Sequence, residues 1–142
     1  MSRTFDHYAF MQAAGDAIIA AAADGSIVFW NPAAERIFGY AQSEALGQSL
    51  DLIIPERLRG RHWEGYRQVM KTGHTRYGSE VLRVPALHKD GRSLSIAFTV
   101  ALVAAPDTQD VVIAAIIRDE TARWAEERAL RHRIAELEAK TG

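Results

Sequence analysis

The chain contains no cysteine, which removes disulfides, thiolate nucleophiles and cysteine metal clusters together. No Gly-x-Ser-x-Gly, His-Glu-x-x-His or phosphate-loop string opens another route to nucleophilic or metal-assisted hydrolysis. The five histidines, His7, His62, His74, His88 and His132, are scattered, with no pair at metal-ligand spacing. Carboxylates are numerous but form no recognisable acid–base pair. No enzyme is expected. His62 stands out, in the run RGRHWEGY on the inner face of a predicted helix. It reads either as a satisfied core residue or as a ligand. Its aromatic neighbours Trp63 and Tyr66 read as packing residues. Met70 follows at helical spacing, again as ligand or core, and the arginines around His62 read as a solvated face.

The helix that must carry His62 is predicted over residues 55–72. Pro55 suits its first turn, and Gly73 is its natural stop. Leu58, His62, Tyr66, Val69 and Met70 recur at steps of three and four and so share a face. Two strands are predicted beyond it, Tyr77 to Leu87 and Ser93 to Val103, joined by the turn Lys89-Asp90-Gly91-Arg92. In the second, Leu94, Ile96, Phe98, Val100 and Leu102 alternate with small or polar residues, a half-buried pattern. Pro85 marks an edge or a bulge. Val111 to Ile117 is the last strand. Upstream, residues 16–22 and 26–30 form a hairpin around Asp24-Gly25, with Ile18, Ile27 and Phe29 as core candidates and Trp30 as a packing residue. Asn31 caps a short helix that Pro32 begins and Gly39 ends. Ser43 is a candidate cap for a further short helix ended by Gly47, and Leu50, Leu52, Ile53 and Ile54 cluster before Pro55. Residues 2–14 read as an amphipathic helix, with Phe5, Tyr8 and Met11 at three-residue steps and Phe10 beside them. The sum is an α+β fold, a five-stranded antiparallel sheet with helices on one face.

Residues 120–140 differ in composition: helix formers dominate, without Gly or Pro. Leu130, Ile134 and Leu137 have four-then-three spacing, as in a coiled-coil seam, while Glu127 and Arg123 interrupt it upstream. So short a seam does not hold a dimer by itself. The chain therefore divides into an N-terminal helix (1–14), a central domain (15–119) and a coiled-coil-like helix (120–142), the last reading as the opening of a longer one cut short. At 142 residues one core is expected. A net charge of −1 implies no general attraction to nucleic acid or anionic membranes. No apolar run approaches the roughly 20 residues needed to cross a bilayer. The N-terminus lacks a secretory layout, so a cytoplasmic location is the default.

The order hairpin, capped short helix and glycine stop resembles the opening of a PAS domain. That family's characteristic string is matched at Asp24, Gly25, Ile27, Asn31, Ala34, Glu35, Phe38, Gly39 and Tyr40. A second PAS pattern is matched at Glu44, Gly47, Ile53 and Pro55. Asp119-Glu120-Thr121 is similar to the Asp-(Ile/Val)-Thr motif that closes such domains, with Glu in the usual apolar place. The resemblance implies a sensory module in which Asp119 and Thr121 couple a C-terminal signalling helix to the sheet. It also implies a homodimer through the terminal helices and a downstream effector domain or kinase. Without cysteine, the flavin–cysteinyl and thioester chromophore chemistries of the family are absent.

Around His62 the chain also resembles the haem-binding PAS domain of rhizobial oxygen-sensing kinases, through Pro55, Arg61, His62, Tyr66, Lys89, Asp90 and Gly91. This implies haem b held through His62 as the iron ligand. Tyr66, Met70, Leu82, Ile96, Phe98 and Val100 are then expected around it, and Arg76 at a propionate. Leu82 falls where that family has an oxygen-contacting Arg. Carbon monoxide, nitric oxide or a redox role is then as compatible as oxygen. The alternative is a cofactor-free interaction module, or one holding another small ligand.

Overall fold

The computed structural model describes residues 4–74, 80–104 and 110–141. Its centre is a five-stranded antiparallel sheet in the order β2-β1-β5-β4-β3. The strands are β1 (Ala17–Ala21), β2 (Ile27–Trp30), β3 (Leu82–Leu87), β4 (Ser93–Ala104) and β5 (Val111–Asp119). The long central pair β4–β5 is in register from Ile96↔Asp119 to Ala104↔Val111. Pro85 lies in β3, which is an edge strand, as its missing N–H requires. Of the predicted start of that strand, Tyr77 to Ser79 lie outside the described residues, and Glu80 and Val81 precede the strand, which begins only at Leu82.

Between β2 and β3 run α2 (Pro32–Phe38), α3 (Gln42–Ala45), a 3₁₀ turn (Leu50–Ile53) and α4 (Glu56–Thr72). Asn31 caps α2 by accepting from Ala34 N at 3.0 Å. Gly39 ends α2 at φ +85°, the left-handed conformation glycine adopts freely. The Asn31 side chain does more than cap: it accepts from Ile18 N at 2.9 Å and donates to Met11 O and Asp16 O at 2.9 and 3.1 Å. It is fully buried. One amide thus ties α2, β1 and the N-terminal segment together. Around it Trp30 and Phe38 pack with ring centroids 5.7 Å apart, and Trp30 Nε1 donates to Tyr40 O at 2.9 Å.

Three local expectations are corrected. The first helix, α1, runs only over His7–Ala13, because Asp6 caps it by accepting from Ala9 N at 2.9 Å. Phe5 and Phe10 flank that cap as a hydrophobic staple, their centroids 5.5 Å apart. In β1 the buried residues are Ala17, Ile19 and Ala21, so alternation turns Ile18 to the other face of the sheet, where it pairs with Ile116. Phe29 is likewise only half-buried, edge-on to the Tyr8 ring. Finally, α3 starts before Ser43. Glu44 accepts from Ala41 N at 2.9 Å and Glu35 from Gln42 N at 2.7 Å, so two carboxylates hold the start of this helix in place of a serine cap.

The last helix, α5 (Thr121–Thr141), buries no residue. Its root is anchored. Asp119 accepts from Thr121 N at 2.9 Å, Thr121 Oγ1 accepts from Ser95 N at 3.0 Å, and Glu120 N donates to Ser95 O at 2.8 Å. Glu120 lies 3.6 Å from Arg83 Nε, which accounts for a charged residue at that place. Arg118 holds Asp16 through two bonds of 3.1 Å. Among the described residues no helix is long and apolar enough to cross a membrane.

Candidate functional site

A cavity of about 620 Å³, open to solvent along one side, lies between α4 and the sheet. Leu58, Arg61, His62, Gly65, Tyr66 and Val69 form the α4 wall at steps of three and four. The sheet supplies Leu82, Val84, Ile96, Phe98, Val100, Ile113, Ala115 and Ile117, inward-facing residues of β3, β4 and β5. The walls are overwhelmingly apolar, with polar groups confined to α4.

α4 is fixed by bonds at its start and middle. Arg59 Nε donates to Ile54 O at 3.0 Å, and Trp63 Nε1 donates to Asp51 Oδ1 at 2.8 Å. The Tyr66 hydroxyl donates to Ala22 O in the β1–β2 turn. Burial, with a smaller contribution from the Asp24 carboxylate, pushes the Tyr66 phenol up to about 12. Tyr66 is therefore neutral, with its proton committed to the backbone.

His62 sits between these anchors, its ring 4.7 Å from that of Trp63 and 5.7 Å from that of Tyr66. Its Nδ1 is buried and has no hydrogen-bond partner among the described residues. Burial lowers its pKa below the ordinary 6.5, against a weaker opposing pull from Asp51. The imidazole is thus neutral at neutral pH and carries one N–H and one lone pair. A buried, unpaired ring nitrogen costs free energy, and it leaves the ring unpinned by an intramolecular bond at that atom.

His62, Tyr66, Leu82, Ile96, Phe98 and Val100 all line the cavity. Met70 does not; it lies one turn beyond Tyr66, on the flank of the stripe, and packs against the core. Arg76 lies outside the described residues. Sequence reasoning overlooked Arg61 and Gly65 as wall residues, although both stand three or four residues from Leu58, His62 or Val69. Among the described residues no group of three or more His, Asp or Glu converges to hold a metal ion.

An antiparallel sheet with helices enclosing an apolar cavity against it, and a terminal helix rooted beside that cavity, defines the class of fold. The model of the PAS fold matches residues 6–120, and the chain belongs to the PAS family. It is 31% identical over 108 residues to the oxygen sensor protein DosP of Escherichia coli (strain K12), covering 76% of this chain and 13% of that protein. It is 43% identical over 47 residues to the sensor protein FixL of Bradyrhizobium diazoefficiens, covering 33% of this chain and 9% of that protein. The chain thus spans a small part of the relatives it matches. Among solved structures it is similar to a PAS domain from Colwellia psychrerythraea, with TM-score 0.69 and 23% identity over 81% of this chain and 94% of that one. The chain is a PAS domain similar to those of sensor proteins.

Proposed function

We propose that this domain is the sensory module of a signal-transduction protein and that its cavity takes haem b through His62. The observation that carries the reading is a neutral His62 in the wall of an apolar cavity of about 620 Å³. That volume falls within the range of small-molecule and cofactor sites. A porphyrin needs only an axial donor from the protein, which one histidine provides. Ile96, Phe98 and Val100 would face the macrocycle, and Arg61 at the rim would meet an acidic edge. The residues fit the group. Similarity to an oxygen sensor and to a sensor protein supports the same reading. Haem would supply an iron centre able to bind a diatomic gas or change oxidation state. Leu82 brings no hydrogen-bond donor to that centre, which favours carbon monoxide, nitric oxide or redox sensing alongside oxygen. Ile96 lines the cavity next to Ser95, whose N–H and C=O hold the root of α5. Movement of β4 would therefore reach α5 through Thr121 and Glu120. No catalysis enters this reading. The test is the absorption spectrum after adding haemin to the parent and to His62→Ala. A sharp Soret band in the parent, lost or broadened in the variant, is expected; identical spectra would sink the assignment of His62.

A second, compatible reading concerns assembly. Leu130, Ile134 and Leu137 on α5 and Phe5, Tyr8 and Phe10 around α1 are all exposed, at 48–63%. Exposed apolar residues in such number favour a homodimer through the terminal helices, linked to an effector domain or kinase. Sedimentation equilibrium should show a concentration-dependent dimer that Ile134→Glu weakens. A monomer at every concentration would rule the dimer out.

A further inference from the structure

α4 carries a glycine where a helix least favours one. Gly65 is nine residues beyond Glu56 and seven before Thr72, well inside α4, and only proline is a poorer interior helix former. Turn geometry does not require it, and a Cβ at Gly65 would meet no atom within 4 Å. Gly60 has the same open space, but it does not line the cavity. Gly65 does, and at a particular place. At 3.6 residues per turn, Leu58, Gly65 and Val69 run along the middle of the cavity-facing stripe. His62 and Tyr66 lie on one flank, and Arg61 on the other.

We propose that Gly65 is the seat of a flat ligand: its missing side chain leaves the room beside α4, between His62 and Arg61, that a planar ring needs. This deepens the haem reading and rests on it in part: the missing side chain sets how closely a planar group approaches the helix, and so whether it comes within reach of His62. The general class is a flat, apolar ring system bearing an anionic edge. A side chain at residue 65 would stand in the space that the ring occupies.

The test compares the parent with Gly65→Ala and Gly65→Leu, both built from good helix formers. Thermal melts are run without ligand, and haemin is titrated by its Soret band. The ligand-free melting temperature should rise by about 4 °C for Gly65→Ala and should not fall for Gly65→Leu. The haemin dissociation constant should rise at least tenfold for Gly65→Leu and less for Gly65→Ala. Better folding with poorer binding is the signature that a purely structural glycine does not give. An unchanged haemin affinity in Gly65→Leu overturns the proposal while leaving the haem reading intact. A lower ligand-free melting temperature in either variant overturns it as well, because the space would not be open. If the parent takes up no haemin, the haem reading fails alone. The three proteins are then compared with 1-anilinonaphthalene-8-sulfonate, a flat anionic aromatic. Fluorescence enhancement by the parent and not by Gly65→Leu sustains the seat for another flat ligand, and any other pattern overturns it.

Discussion

Asn31→Ala is expected to lower the unfolding free energy by about 4 kcal/mol. The side chain is fully buried and makes four hydrogen bonds, two as acceptor and two as donor. Loss of the cap alone is worth about 1 kcal/mol. The larger share comes from the partners left behind: the N–H groups of Ile18 and Ala34 and the carbonyls of Met11 and Asp16. Each unsatisfied buried group costs roughly 1–3 kcal/mol, less where water reaches it. Against a typical domain stability of about 5–15 kcal/mol, the loss is a large fraction. Urea denaturation should show a much lower midpoint at an unchanged slope. Asn31→Ser, which keeps a capping oxygen but is too short to donate to Met11 and Asp16, should fall between the two. A loss below about 1 kcal/mol for the alanine variant would mean that the four bonds are not the tie described.

Gly25→Ala should cost about 3 kcal/mol, for two independent reasons. Gly25 has φ +86°, where an L side chain costs about 1–2 kcal/mol. An added Cβ would also land on the Trp63 ring. Trp63 has little freedom to retreat, because its Nε1 is bonded to Asp51 and its ring is stacked edge-on against His62 and Tyr66. The substitution therefore strains the hairpin turn and displaces α4 together. A guanidinium chloride melt measures the first effect, and the tryptophan emission of the folded protein reports the second. If stability falls while emission stays fixed, the turn alone carries the cost. If neither changes, the close approach of Gly25 to Trp63 would be refuted.

These two positions mark the boundary of what the sequence discloses. Asp24-Gly25, the Asn31 cap and the Gly39 stop are local devices, and each is readable because its partner lies within a few residues. So is the inward direction of His62, which the helical period determines. The other duties of the same residues are not readable. Asn31 reaches Met11 and Asp16, Gly25 meets Trp63, and Lys89 pairs with Glu44 across the fold. Those pairings exist only once the sheet has brought distant segments together. Ile18 and Ile19 illustrate a subtler limit. Two adjacent isoleucines fit either face of a strand, and only the register with β5 decides that Ile19 goes inside. Arg61 and Gly65 were concealed differently: an arginine suggests solvent and a glycine suggests nothing, so neither advertises a cavity wall.

The bare helix α5 has a mechanical consequence. With 21 residues it extends about 31 Å from a root held by Ser95, Asp119 and Thr121. Its pivot sits beside Ile96 in the cavity wall, and beyond the turns next to Arg83 its side chains are exposed. A tilt of about 10° at that pivot carries the far end roughly 5 Å sideways. Such a displacement is as large as the rise of one helical turn.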